Sequence, residues 1–168
     1  MRIIKNCISE ETAELATKNA IDLLDKDVWK NNRDTWDKSL LTGHSGKVLI
    51  TKVGPEVRAA VLEDIQMELP YSNDLTMNYH VGLAESGIAM HGDDDHRFGA
   101  TIYLNKIWHH DFGGILLWSE DSEHLENLKG FVPEYRSLVI NQDHENHMVT
   151  RVSPGLSEIR LTIQIFGN

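Results

Sequence analysis

From Leu75 to the C-terminus the chain is a succession of short β-like runs separated by Gly, Asp, Asn and Pro, and this pattern constrains the fold most. The runs occupy residues 75–83, 97–105, 113–119, 136–142, 147–152 and 158–166. Many short strands with turn residues between them favour an antiparallel sandwich or barrel over a parallel sheet, whose strands would alternate with helices. The sequence therefore predicts a β-rich half.

The first 70 residues carry helical signals instead. Ser9 is a suitable N-cap, two glutamates follow in the first turn, and apolar residues then recur at helical spacing. A second helix is predicted to begin at Pro55, a favoured first helical position, and to end before Pro70. Between the two helices, residues 47–53 are rich in β-branched residues and predict a strand.

Length and composition bound the class of protein. A chain of 168 residues suits one domain, so we expect a single domain over 1–168, with helical support over 1–70 and a β core over about 75–167. The net charge of −10, without any basic block, argues against binding to nucleic acid or to an anionic membrane. Cys7 is the only cysteine, so no intrachain disulfide can form. Because neither a signal peptide nor a membrane span is evident, we expect a soluble, cytoplasmic protein.

The stretch MHGDDDH (90–96) contains two histidines and three aspartates, which is typical either of a solvated loop or of a metal site. On extended backbone, His91 and Asp93 leave the same face because strand side chains alternate. An imidazole and a carboxylate on one face begin the two-histidine, one-carboxylate set of non-haem Fe(II) oxygenases. H-x-D alone is weak evidence, and Asp94, Asp95 and His96 fit a solvated turn.

A third ligand would have to come from a distant strand, and the sequence offers His144 and His147. His144 lies in the polar stretch QDHEN, whereas His147 opens a predicted strand. We favour His147 because a strand holds a ligand more rigidly than a turn does.

Arg160 lies within the otherwise apolar run EIRLTIQIF, where a charge is costly unless it is paired. Glu158, on the same strand face, is one partner, and this structural pairing is the simpler explanation. The functional alternative is a ligand carboxylate gripped by the guanidinium, to which Thr162 on the same face would add a hydroxyl.

Taken in order, these elements resemble the Fe(II)- and 2-oxoglutarate-dependent oxygenases, specifically the prolyl hydroxylase-like branch. That branch shows a tyrosine on a strand, H-x-D, a Y-L-N strand, a G-G-x-L strand, a distal histidine and a basic residue. The corresponding elements here are Tyr79, His91-Gly-Asp93, TIYLN (101–105), FGGILLW (112–118), His147 and Arg160. Together they cover roughly residues 75–167.

The resemblance implies a double-stranded β-helix, a jelly roll with supporting helices. It implies that His91, Asp93 and His147 are the iron ligands. It also implies that Arg160 and Thr162 bind the distal carboxylate of 2-oxoglutarate. Tyr79 and Tyr103 correspond to tyrosines that line the co-substrate pocket. For each tyrosine, packing across strands with a satisfied phenol is an equally good explanation.

This chain departs from the family pattern in two ways. The interval from His147 to Arg160 is longer than usual, with the extra residues in SPGLSEI, and the proline usually found shortly after the distal histidine is missing. Neither departure removes a ligand. They bear on the shape of the pocket.

Function is expected to follow the family: O2 is the oxidant, 2-oxoglutarate the co-substrate, and ascorbate a stimulant. The ligand Asp93 favours hydroxylation over halogenation, since halide would need the position that the carboxylate takes. A peptidyl prolyl residue is the first candidate substrate, because the short chain leaves little for a lid. The alternatives are a free amino acid or other small molecule, and a metal-binding jelly roll without activity.

Overall fold

Two antiparallel sheets dominate the computed structural model, which describes residues 1–41, 46–93, 95–119, 127–142 and 145–168. In these ranges the strands are β1 (Arg2–Ile4), β2 (Lys30–Asn31), β3 (Val48–Lys52), β4 (Leu75–Gly82), β5 (Ile88–His91), β6 (Phe98–Tyr103), β7 (Leu116–Ser119), β8 (Leu128–Phe131), β9 (Leu138–Gln142), β10 (His147–Val149) and β11 (Arg160–Gly167). The helices are α1 (Glu10–Leu24), α2 (Asn32–Thr35), α3 (Lys38–Leu41) and α4 (Pro55–Ile65), with a 3-10 turn at His110–Phe112.

Strands β4–β11 form a jelly roll. Four of them lie in the larger sheet in the order β9-β6-β11-β4, and the other four form the smaller sheet in the order β5-β10-β7-β8. Every pairing within these two groups is antiparallel. This is the double-stranded β-helix that the sequence predicted.

The first 70 residues support the larger sheet with both helices and strands. Strand β1 pairs with β9 at one edge, while β3 and β2 extend the opposite edge beyond β4. The predicted strand at 47–53 is therefore confirmed as β3, whereas β1 was not anticipated. None of the helices in the described ranges is long and apolar enough to cross a membrane.

Helices α1 and α4 cover the outer face of the larger sheet. The Ser9 hydroxyl accepts the Thr12 amide, as the predicted N-cap requires, and Pro55 opens α4. Helix α4 ends at Ile65, earlier than the sequence indicated, because the Glu68 amide donates to the Ile65 carbonyl in a tight turn. Both helices bury small or β-branched apolar side chains against the sheet: Ala13, Ala16, Ala20, Val57, Val61 and Ile65.

Strand alternation divides the larger sheet into an apolar outer face and a polar inner one. Met77, Tyr79 and Val81 of β4, like Leu161, Ile163 and Ile165 of β11, belong to the core beneath the helices. Each aliphatic side chain buried there contributes about 1.5–3 kcal/mol relative to exposure. The alternate residues of both strands face the space between the sheets, which holds the site described next.

Candidate active site

A cavity of about 840 Å³ lies between the two sheets. Strand β11 contributes Arg160, Gln164 and Phe166 to its wall, and the smaller sheet contributes both His91 and His147. A second, smaller core cluster of Tyr103, Leu116, Trp118, Phe131, Val139 and Val149 closes the space around it. Of the predicted site residues, His91, Asp93, Tyr103, His147 and Arg160 therefore line one cavity.

The two histidines are cross-strand partners. His147 on β10 pairs with His91 on β5, and their ring centroids are 4.3 Å apart. The next pair is Val149 with Ile88, so β5 carries one extra residue in this interval. Such a bulge is a common device for aiming a side chain beside an active site.

Backbone carbonyls determine which ring nitrogen each histidine presents to the cavity. His91 Nδ1 lies 2.7 Å from the Ala89 carbonyl oxygen, and His147 Nδ1 lies 2.9 Å from that of Glu145. Because a carbonyl oxygen can only accept, Nδ1 is the protonated nitrogen in each ring and donates. Each Nε2 faces the Asp93 carboxylate, and a backbone carbonyl that holds the opposite ring nitrogen is typical of metal-binding histidines.

Asp93 completes the cluster from the loop after β5. Its Oδ1 lies 3.7 Å from His91 Nε2, and its Oδ2 lies 3.7 Å from His147 Nε2. The side chain of Asn141 on β9 donates from Nδ2 to Asp93 Oδ2 at 2.5 Å. The carboxylate is thus held between the smaller sheet and the larger one.

The chemistry of this donor set fits a divalent transition metal. One potential ligand atom from each of His91, Asp93 and His147 lies within 4.8 Å of the other two. Two imidazoles and one carboxylate suit Fe(II) with positions left open, in contrast to the thiolate-rich sets of structural zinc sites. His144, the rival third ligand in the sequence, lies outside the described residues.

Arg160 is buried at the start of β11, with 7% of its surface exposed. Its Nε donates to the Gly114 carbonyl at 3.1 Å, and its guanidinium lies over the Tyr103 ring, 5.3 Å from the centroid. Burial lowers the pKa of the Arg160 guanidinium, yet arginine stays charged at physiological pH. Across the described ranges, no carboxylate lies within ion-pairing distance of it.

The structural partner suggested for Arg160 is not in place. Glu158 is exposed, and its Oε2 accepts a hydrogen bond from the neighbouring Ser157 hydroxyl instead. It lies before β11 begins, so strand alternation does not bring its side chain alongside Arg160. The pairing with Glu158 is therefore not formed, and a ligand carboxylate remains the other hypothesis for this buried charge.

The G-G-x-L stretch explains how Arg160 fits beneath β7. Gly114 has φ of +63°, and a Cβ there would lie 2.7 Å from Cδ and 3.1 Å from Nε of Arg160. Both the positive φ and the close approach require glycine. The motif thus makes room for the arginine.

Of the other two residues predicted for the co-substrate site, Tyr103 lines the cavity beside Arg160, whereas Thr162 does not line it. Burial raises the pKa of Tyr103, and within the described residues its hydroxyl finds no hydrogen-bond partner. Thr162 is fully buried and receives a hydrogen bond from Gln164 Nε2 at 3.3 Å, while Gln164 Oε1 accepts from the Thr101 hydroxyl at 2.8 Å. An unsatisfied phenol beside a buried guanidinium is a suitable environment for a ligand carboxylate.

Tyr79 does not line the cavity, so its predicted role in the co-substrate pocket is wrong. Its hydroxyl donates to the Ala16 carbonyl at 3.0 Å and lies 3.1 Å from Asn19 Oδ1, both on helix α1. The reason is the register of β4 against β11. Tyr79 pairs with Ile163, which faces the helices, whereas its neighbour His80 pairs with Thr162.

His80 is the cavity residue that the sequence analysis missed. Burial, reinforced by the positive charge of Arg160, lowers the pKa of His80 to about 3, so its ring is neutral at physiological pH. Its ring lies 5.8 Å from that of Trp36, which also borders the cavity. The sequence signal was available, since residues 76, 78 and 80 form one face of β4.

The segment around α2 and α3 forms part of the cavity wall. Thr35, Trp36, Asp37 and Leu40 all line the cavity, although the sequence had indicated little chain for a lid. The loops after Pro70 and around Trp108 do not line it in the described part of the chain.

Comparison with known proteins identifies the fold. No family model and no curated protein matches the sequence. Among solved structures, a prolyl-4-hydroxylase from Pseudomonas putida superposes with a TM-score of 0.71 at 14% identity, covering 99% of this chain and 91% of that one. A prolyl hydroxylase from Trichoplax adhaerens, in complex with a hypoxia-inducible factor peptide, gives 0.72 at 16% identity over 99% and 82%.

A third similar structure is the non-haem, α-ketoglutarate-dependent carbocyclase SnoK of nogalamycin biosynthesis. Its TM-score is 0.69 at 11% identity, covering 98% of this chain and 77% of that one. The shared feature of these structures is the fold of the 2-oxoglutarate-Fe(II) oxygenases.

Proposed function

We propose that this chain is one Fe(II)- and 2-oxoglutarate-dependent dioxygenase domain, over residues 1–168, that hydroxylates a substrate C–H bond. The observation that carries this proposal is the shared cavity of a His91–Asp93–His147 cluster and a buried Arg160 without a carboxylate partner among the described residues. Metal ligands and an unpaired guanidinium are the two features that this chemistry needs. The similar fold of known oxygenases supports the same proposal.

His91, Asp93 and His147 would hold the metal. When bound, Fe(II) supplies the redox chemistry with O2 and 2-oxoglutarate that no amino-acid side chain can perform. The protein contributes orientation: the carbonyls of Ala89 and Glu145 hold the rings with Nε2 towards the metal position. Three ligands on one side leave the remaining positions open.

Arg160 would anchor the distal carboxylate of 2-oxoglutarate. Of the described residues around the cavity, it is the one lysine or arginine, so an anionic co-substrate has a single strong anchor. Charge-assisted hydrogen bonds of this kind contribute about 1.5–3 kcal/mol each. The Tyr103 hydroxyl would complete the carboxylate site, and the neutral His80 adds no competing positive charge.

A peptidyl prolyl residue is the first candidate substrate. The motif order is that of the prolyl hydroxylase-like branch, and two of the similar structures are prolyl hydroxylases, one of them in complex with a peptide. Proline is suited to a narrow site because its restricted backbone loses little entropy on binding.

A free amino acid or other small molecule is the second candidate. The carbocyclase SnoK belongs to a biosynthetic route, and the walls formed by Trp36 and Leu40 give the cavity a partial cover. Enclosure by side chains favours a small substrate, whereas a peptide needs an open entrance.

The decisive experiment offers both classes of substrate together. The protein is incubated with Fe(II), 2-oxoglutarate, O2 and ascorbate in the presence of proline-containing peptides, free proline and other amino acids. Mass spectrometry then detects a product 16 mass units heavier, and succinate is measured in parallel. Hydroxylation of free amino acids alone would exclude the peptide and leave the oxygenase proposal intact.

A further inference from the structure

Asn141 is a buried polar residue whose contacts are directed at the cluster. Only 6% of its surface is exposed, and its Nδ2 lies 2.5 Å from Asp93 Oδ2. An ionised carboxylate can only accept, so the amide is oriented with its NH2 group towards Asp93. Oδ2 of Asp93 is therefore the oxygen that accepts the hydrogen bond from Asn141.

Gly99 on β6 makes this contact possible. Gly99 and Asn141 are paired residues of neighbouring strands, β6 and β9. A Cβ on Gly99 would overlap with Asp93 Oδ2 and would lie only 2.9 Å from Asn141 Nδ2. The missing side chain leaves the space in which the amide and the carboxylate meet.

The consequence concerns how many oxygens Asp93 can offer. With Oδ2 engaged by a strong charge-assisted hydrogen bond, Oδ1 is the oxygen left for a metal. Oδ1 lies 3.7 Å from His91 Nε2 and Oδ2 lies at the same distance from His147 Nε2, so it is the hydrogen bond from Asn141 that distinguishes the two oxygens. A carboxylate free of Asn141 could bind through both oxygens and take an additional position.

We infer that Asn141 is a positioning residue that keeps Asp93 a one-oxygen metal ligand, with Gly99 providing the space. This rests on the proposed function, since it requires that the cluster binds a metal. It is independent of which substrate is hydroxylated.

The test is a titration of the purified, metal-free protein with Co(II) alone. Asn141→Leu removes the donor at nearly constant size, and we expect about a 10- to 100-fold loss of Co(II) affinity, the usual effect of losing such an outer contact. The visible spectrum of the Co(II)-loaded variant should also change, because it responds to the number and arrangement of ligands. A purely structural role would lower stability without altering this spectrum.

Gly99→Ala provides a second variant that acts on the same contact. Alanine suits a strand at least as well as glycine does, so its expected effect is a similar loss of affinity arising from the displaced carboxylate. If Asn141→Leu fails to fold, Asn141→Ala, which removes the same donor without adding bulk, is titrated in its place.

Asn105→Leu is the matched control. Asn105 is a partly buried asparagine that donates to the Ile159 carbonyl and accepts from the Leu161 amide, away from the cluster. Its replacement should lower the melting temperature and leave Co(II) affinity unchanged. Wild-type affinity and spectrum in folded Asn141→Leu and Gly99→Ala would overturn the inference. Absence of Co(II) binding by the wild type would overturn the proposed function as well.

Discussion

His147 and His91 lie directly opposite each other on β10 and β5, while Asp93 reaches from the same sheet to Asn141 on the other. The cluster therefore joins the two sheets of the jelly roll at one point. A metal at this cluster would bind only the folded chain, because folding brings the three ligands together. At a free concentration 100-fold above its dissociation constant, it should stabilise the fold by about 2.7 kcal/mol.

The first prediction separates the two candidate histidines. His147→Ala should abolish both Co(II)-induced stabilisation and turnover, because it removes one of three ligands. His144→Ala should retain most of both. Thermal unfolding with and without Co(II) gives the comparison, and the opposite ranking would mean that the third ligand had been wrongly chosen.

The second prediction concerns Arg160, the proposed anchor of the distal carboxylate of 2-oxoglutarate. Arg160→Ala should raise the apparent 2-oxoglutarate requirement by about 10- to 150-fold, as expected from losing a single charge-assisted bond of about 1.5–3 kcal/mol. Co(II) affinity should stay near wild type. Glu158→Gln is the control, and it should leave the 2-oxoglutarate requirement unchanged because Glu158 is exposed and bonded to Ser157. An unchanged requirement in folded Arg160→Ala would remove Arg160 from the co-substrate site.

The third prediction uses two tyrosines that the sequence alone could not distinguish. Tyr79→Phe should cost about 1 kcal/mol of stability, through loss of the hydrogen bond to Ala16, without changing the 2-oxoglutarate requirement. Tyr103→Phe should raise that requirement with little effect on stability, because its hydroxyl has no partner among the described residues. Urea unfolding and steady-state kinetics measure the two effects. If Tyr79→Phe and Tyr103→Phe changed stability and the 2-oxoglutarate requirement to the same extent, these roles would be contradicted.

The contrast between these tyrosines shows what local sequence can and cannot predict. Hydrophobic alternation predicted β4 and β11, and the spacing of H-x-D placed His91 and Asp93 on one side. The pairing of β4 with β11 determines which face of β4 lines the cavity. A shift of one residue in this register would place Tyr79 on the cavity side and His80 beneath the helices. The sequence nevertheless carried a signal, because Met77, Tyr79 and Val81 form an apolar face of β4, whereas Thr76, Asn78 and His80 form a polar one.

Asn141 illustrates a second limit. The run RSLVINQ predicts a strand, but an asparagine within it gives no indication of its partner, which lies 48 residues earlier at Asp93. Arg160 is the opposite case: its charge in an apolar run was informative, and burial together with the exposed position of Glu158 favoured one of the two explanations. Short strands such as β1 and β8 are too brief for alternation to show.

The last prediction follows from the buried ring of His80. Burial and the nearby Arg160 lower the pKa of His80 from 6.5 to about 3, so between these values the unfolded chain binds a proton that the folded chain does not. Stability from the neutral ring is therefore fully present above pH 6.5 and falls as the pH is lowered towards 3. Each pH unit in this interval costs about 1.4 kcal/mol, or at most about 2 kcal/mol between pH 6.5 and 5.

His80→Asn replaces the ring with a neutral group that does not titrate, so this part of the pH dependence should disappear. The measurement is the free energy of unfolding of the metal-free protein in urea at pH 7 and pH 5, for wild type and variant. All other titrating groups are common to both proteins and cancel in the difference. The wild type should lose up to about 2 kcal/mol more than the variant on acidification. An equal loss in both would show that His80 takes up a proton in the folded state, and the cavity beside Arg160 would then be less dry than the burial of both side chains indicates.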